Sequence, residues 1–263
     1  MIDWQDWSGA SVRPELPPGA LHLWRLRASD GVGLSDSLSP TLSPQERARA
    51  ARYRFDEPRL RFILGRATLR WVLGGYLDAT PDKVRIAERP DGKPCLVDPR
   101  GTWLQFNLAH SADLVVILLS AERPVGVDIE AVRTLDRPSS LSDRLLNPEQ
   151  RAAVDDLDAS DVSEPLLWLW TQMEALGKAT GRGLAAALGT YTPAVDLTAD
   201  VPFRAQTCCG DGGCWRVQPF RPAAGYVGTI AVAADSGNAL GPLDISGYLV
   251  SPADLASLVG RTV

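Results

Sequence analysis

Histidine is scarce in this chain. His22 and His110 are the only two in 263 residues, and they lie far apart. Cysteine is limited to Cys95, Cys208, Cys209 and Cys214. The run from Cys208 to Cys214 invites a zinc reading, but no second Cys/His pair stands near it to complete four ligands. Its intervening glycines suit a hairpin turn instead. Long hydrophobic runs are also missing. None reaches the length of a membrane span, so no membrane association is expected. Residues 1–9 carry Trp4, Trp7 and two aspartates where a secretory signal would have a basic start and an apolar stretch. A cytoplasmic location is therefore expected, with the cysteines reduced. No excess of positive charge is present, and a formal net charge of -5 argues against a nucleic-acid partner. No residue-level repeat is visible.

What remains is an ordinary soluble composition, 45% hydrophobic and 22% charged, long enough for one large domain or two small ones. The charge is unevenly placed. Eight arginines fall at positions 47, 49, 52, 54, 59, 61, 66 and 70, against only Asp56 and Glu57 as acids from position 47 to 70. Such a segment is either the solvated face of a helix or a site for a localised anionic ligand.

The pattern of elements is mixed. Residues 21–26 alternate as a strand does. Ser43-Pro44-Gln45-Glu46 reads as a helix start, with a capping residue, proline at the first position and Glu46 three later. A longer helix is expected from Asp56 through Leu73, ending at Gly74-Gly75. Asp91-Gly92-Lys93-Pro94 is a turn signal. Residues 104–108 and 114–120 read as paired strands, the second buried on both faces. Another strand covers residues 125–130. Asn147-Pro148 opens a helix, and a long one runs from Glu164 to Gly181. Short strands follow to Ala233, and residues 234–263 read as a peripheral tail. These elements imply an α+β chain of two similar halves, residues 1–123 and 124–263.

Asp128 and Glu130 are two apart on a strand and so share a face. Paired carboxylates need a cation or a proton between them, and hard oxygen donors suit Mg²⁺; the alternative is a solvated strand end. Glu174 and Lys178 share a helix face, as a site pair or as a surface ion pair. His110 closes the block Phe-Asn-Leu-Ala-His-Ser, where it could hydrogen-bond a phosphate or serve structurally.

The order of these blocks is far more specific than any one of them. Arginine-rich helices precede Gly92-Lys93-Pro94, then Phe106-Asn107-Leu108-Ala109-His110-Ser111, then Gly126-Val127-Asp128-Ile129-Glu130. Last comes Trp170-Thr-Gln-Met-Glu174-Ala-Leu-Gly-Lys178 with Gly181 and Gly183 beyond it. From about Ser43 to Leu184 this resembles the Sfp-type 4′-phosphopantetheinyl transferases.

The resemblance implies a pseudo-twofold pair of α+β halves with a cofactor cleft between them. It also implies transfer of the phosphopantetheine arm of coenzyme A to a serine of an acyl or peptidyl carrier protein, releasing 3′,5′-ADP, by a monomeric enzyme. By position, Asp128, Glu130 and Glu174 are implied Mg²⁺ ligands. Lys178 is the implied cation on the pyrophosphate, Glu174 and Lys178 being catalytic together with Glu149 as a candidate base. Arg49, Arg61, Gly92, Lys93, Pro94 and His110 are implied contacts of coenzyme A. Residues 141–146 are a candidate edge for the carrier.

Three positions depart from the family: Met173 where lysine is usual, Ala109 where serine is usual, and Gln150 where a glutamate is often found. They leave open a relative with weakened or lost transfer that binds coenzyme A or a carrier, or one that acts on a carrier-bound substrate.

Overall fold

A computed structural model describes residues 2–6, 15–89, 92–97, 103–152, 158–191, 204–210, 213–234 and 243–259. In chain order the elements begin with β1 (Trp4–Asp6), β2 (Leu21–Arg27), α1 (Ser35–Leu38), α2 (Pro44–Ala50) and α3 (Asp56–Leu77). β3 (Ile86–Glu88), β4 (Pro94–Leu96), β5 (Leu104–Ser111), β6 (Leu114–Ala121) and β7 (Val125–Ala131) follow. Next are α4 (Pro138–Leu145), α5 (Pro148–Ala152), α6 (Ala159–Thr180) and α7 (Gly183–Thr190). The chain then forms β8 (Gln206–Gly210), β9 (Gly213–Phe220), β10 (Tyr226–Ala233), β11 (Ile245–Leu249) and α8 (Pro252–Val259). No helix among the described residues is long and apolar enough to cross a membrane.

The chain forms two compact units, one of Asp3–Glu122 with Ile245–Val263 and the other of Arg123–Asp244 with Met1–Ile2. Residues 245–259 are thus no peripheral tail of a C-terminal half. β11 pairs in parallel with both β1 and β2, filling the sheet order β1-β11-β2-β6-β5. Inserting there satisfies the backbone groups of β2 on the side away from β6 and sets Tyr248 against Trp24, with ring centroids 4.7 Å apart.

In this first unit every residue of β6 is buried, as a central strand covered on both faces requires. Val115, Ile117 and Leu119 join Ile63, Leu64 and Leu73 of α3 in one core. Asp56 and Glu57 sit in the first turn of α3, where the helix dipole favours acids. The helix passes through Gly74-Gly75 to Leu77, which the core buries, and stops at Asp78 in the left-handed region. Two glycines lower helix propensity, but the buried Leu73 and Leu77 outweigh that cost. At α2 the capping box is complete: the Ser43 amide donates to Glu46 at 2.8 Å, and the Glu46 amide to the Ser43 hydroxyl at 3.2 Å.

The second unit is an antiparallel sheet of order β7-β10-β9-β8 packed against α6. α6 starts at Ala159, before the expected Glu164, and so carries Pro165 in its second turn at the loss of one ladder bond. It ends at Gly181, whose φ of 70° suits glycine. β8 and β9 pair antiparallel, as a hairpin reading of the cysteine run requires; residues 211–212 between them lie outside the described residues. Cys209 and Cys214 stand opposite each other with Cα atoms 4.1 Å apart, and they form a disulfide where free thiols were expected. Cys208 points inward and remains a thiol, which burial pushes up to about 11.

Candidate metal and cofactor site

The second unit builds its site where β7 meets α6. Gly126, Asp128 and Glu130 alternate onto one face of β7. Asp128 lies opposite Thr229 of β10 and Glu130 opposite Val227. This face is covered rather than solvated. A Cβ at Gly126 would overlap the carbonyl oxygen of Ala175 and lie 2.5 Å from the amide nitrogen of Ala179. Only glycine lets α6 approach so closely. Gly126→Ala is expected to push α6 off the strand and destabilise the fold by about 1–3 kcal/mol, read by denaturant unfolding.

Asp128 is only 8% exposed. Its Oδ1 accepts from the Lys178 ammonium at 2.6 Å, and Lys178 also donates to the Val127 carbonyl at 3.1 Å. Asp128 Oδ2 is buried without a hydrogen-bond partner. Burial pushes the Asp128 carboxyl up to about 6; Lys178 opposes that shift, while the charges of Glu174 and Glu130 add to it. The three carboxylates therefore share one electrostatic neighbourhood, although Glu130 also pairs with Arg133 at 2.9 Å. Among the described residues, no three or more His, Cys, Asp or Glu side chains are gathered into a metal cage. Like charges close up only around a cation, and here an ammonium takes that part for Asp128.

A divalent ion fits this arrangement. The donors are all hard carboxylate oxygens, as Mg²⁺ prefers, and one is buried with nothing to bond. An unsatisfied buried acceptor is costly, and a cation beside Oδ2 would remove that cost.

The departures from the family pattern acquire physical meanings. Met173, 3% exposed, packs with Leu176, Tyr191, Cys208, Trp215 and Val217. It belongs to the core side of α6, roughly 100° around the helix from Glu174. Gln150 is a capping residue: its side chain accepts from the Asn147 amide at 3.1 Å, while its own amide donates to Asn147 Oδ1 at 2.8 Å. That fixes Gln150 at the start of α5 and leaves Glu149 as the exposed acid of the first turn. Ala109 is buried, so a serine there would not meet solvent. Residues 141–146 are largely committed to packing, with Leu146 buried and Leu141 and Leu145 set against α6 leucines.

In the first unit the cofactor candidates fall at three places. Arg49 lines a cavity of about 480 Å³ with Arg52, Arg66, Phe62 and Ile86, and holds Glu88 at 2.7 Å. Lys93 and Pro94 line a second, of about 220 Å³, with Arg89, Gln105 and Phe106. Gly92 takes φ of 81° in the turn before them, its amide donating to the Arg89 carbonyl; Asp91 lies outside the described residues. Arg61 lines neither cavity but donates to the Ala112 carbonyl at 2.5 Å, in the turn that follows exposed His110. The arginine-rich segment is therefore partly internal. Arg70 is buried against Glu46 at 2.7 Å, and Arg66, whose pKa burial lowers, sits between Glu46 and Glu88.

Sequence reasoning missed Gly126 as the approach point of α6, and it missed the buried Thr171–Thr229 pair beside Asp128. The glycine stood within the quoted block, next but one to Asp128. The threonines carry no local signal, because each is defined by a partner 58 positions away.

Comparison with known proteins gives a consistent answer. Residues 124–231 match the 4′-phosphopantetheinyl transferase superfamily, and residues 36–122 match the family described as 4′-phosphopantetheinyl transferase, N-terminal. The chain is 34% identical to 4′-phosphopantetheinyl transferase HetI of Nostoc sp. over 214 residues, 81% of this chain and 87% of that protein. It is 33% identical to a putative 4′-phosphopantetheinyl transferase of Synechocystis sp., covering 67% of this chain and 70% of the relative. With 4′-phosphopantetheinyl transferase Sfp of Bacillus subtilis it shares 24% identity, over 57% of this chain and 65% of Sfp. The chain belongs to the 4′-phosphopantetheinyl transferase superfamily.

Proposed function

We propose that this protein transfers the 4′-phosphopantetheine arm of coenzyme A to a serine of an acyl or peptidyl carrier protein, with Mg²⁺ held by Asp128, Glu130 and Glu174. Within this family, the supporting observation is the buried Asp128 carboxylate, with one oxygen on Lys178 and the other unsatisfied. When bound there, Mg²⁺ supplies charge neutralisation at the pyrophosphate.

The chain's own groups account for the rest. The serine oxygen forms a bond to the β-phosphorus as the bond to the bridging oxygen breaks, and 3′,5′-ADP leaves. Lys178 stabilises the charge that builds on the leaving phosphate. Glu149, exposed at the start of α5, accepts the serine proton. Arg49, Arg61, Gly92, Lys93, Pro94 and His110 contact coenzyme A; the cavity lined by Arg49, Arg52 and Arg66 would offer a phosphate monoester guanidinium donors, although Glu46 and Glu88 also line it and pair with Arg66 and Arg49.

We place the enzyme in the cytoplasm as a monomer. Cellular reductants would open the Cys209–Cys214 bond there, and the backbone ladder of β8 and β9 would still hold the hairpin.

Mass spectrometry of an apo carrier protein incubated with the enzyme, coenzyme A and Mg²⁺ tests the reading. The carrier should gain one phosphopantetheine, and EDTA should prevent it. An unmodified carrier across a broad panel, with the enzyme folded, would overturn it.

A further inference from the structure

Two hydroxyls meet where α6 packs on β10, beside Asp128. Thr171 of α6 and Thr229 of β10 are both fully buried, with their oxygens 3.0 Å apart. Thr171 also donates to the Trp168 carbonyl at 2.8 Å. A hydroxyl has a single proton, so Thr171 has none left for Thr229. The bond between them therefore runs one way, from Thr229 to Thr171 and on to the Trp168 carbonyl.

The placement of this chain of bonds ties it to the site. Thr229 is the register partner of Asp128, so the two side chains stand side by side on the face that α6 covers. Thr171 precedes Glu174 by three residues and shares its side of the helix. Close approach at Gly126 fixes how near α6 comes to the strand, and Lys178 bonds Asp128 one turn after Glu174. The threonine link is a second directional bond, one turn before Glu174, so that the two bracket this residue and fix the rotation of the helix segment that carries it.

We propose that Thr171 and Thr229 are positioning residues. Their hydroxyl link fixes the rotation of α6, so that the Glu174 carboxylate is presented to the cation held by Asp128 and Glu130. This rests on the Mg²⁺ reading given above. The carboxylate ligands hold the ion; the threonines act through Glu174 alone.

The test is calorimetric titration of Mg²⁺ into the protein saturated with coenzyme A. Thr229→Val keeps the shape and removes the hydroxyl; it should weaken Mg²⁺ binding about tenfold or more. Thr229→Ser, which keeps the hydroxyl and loses the methyl, should bind as the native chain does. Thr171→Val should weaken binding by the same factor, and the double valine variant no further, because one link is lost in each case. A link that serves stability alone would lower the metal-free melting temperature of Thr229→Val and leave its Mg²⁺ affinity native, which would overturn the proposal. Native-like Mg²⁺ affinity in Thr171→Val would overturn it equally. A native chain that fails to bind Mg²⁺ would instead overturn the metal reading itself, and this inference with it.

Discussion

Glu174→Gln is expected to slow carrier modification by about a hundredfold to a thousandfold while the protein remains folded. Glu174 is half-buried on α6, one turn before Lys178 and within the field of Asp128. Glutamine has nearly the same shape, so the packing of α6 on β7 survives. What is lost is a negative charge that, on the proposed reading, would help hold Mg²⁺ beside the pyrophosphate. Removing one preorganised stabilising group from a dry site costs about 2.7–4 kcal/mol of barrier. The variant's rate should recover in part at high Mg²⁺, since a weakened ligand set is filled by mass action. Initial rates of carrier modification across a Mg²⁺ series check this. Native rates at limiting Mg²⁺ would remove Glu174 from the metal site.

The second large effect concerns stability. Met173→Lys places at this position the residue usual in the family, so a gain of activity is the naive expectation. The structure argues for the opposite. Met173 is 3% exposed and surrounded by Leu176, Tyr191, Cys208, Trp215 and Val217. A lysine there must bury its ammonium unpaired or drag its stem out of the core. An uncompensated buried charge costs about 3–5 kcal/mol, which lowers the melting temperature by roughly 10 °C for a chain of this size. Transfer should fall with it. Met173→Leu, of similar volume and uncharged, should cost less than about 1.5 kcal/mol. Thermal unfolding of both variants tests this, and a Met173→Lys protein as stable as the native one would show that the side chain reaches solvent.

What was legible in the sequence was local or periodic. The cap of α2 was readable because Ser43 and Glu46 meet within four residues. Asp128 and Glu130 were placed on one face because strand side chains alternate. The burial of β6 followed from its continuous apolar run. Information carried by distant partners was not readable. Nothing near residues 245–249 announces that they slot between β1 and β2. Nothing near Arg49 or Arg66 says that Glu88 holds them. The inward face of Met173 was available, since Leu166, Leu169, Met173 and Leu176 follow helical spacing. It was obscured because the family pattern directs attention to the residue beside Glu174. Asp128 is the sharpest case. Two acids on a strand end suggested solvent or metal, and spacing alone could not decide. The structure excludes a solvated strand end for Asp128: α6 lies over that face, Lys178 holds one oxygen at 2.6 Å, and Oδ2 is buried with no hydrogen-bond partner.

Calorimetric titration of Mg²⁺ into coenzyme A-saturated native protein and into Asp128→Asn tests the carboxylate site most directly. A single saturable site in the native chain, lost or weakened at least about a hundredfold in Asp128→Asn, is the expected result. Equal titrations of the two proteins would contradict the assignment of the metal to Asp128, Glu130 and Glu174.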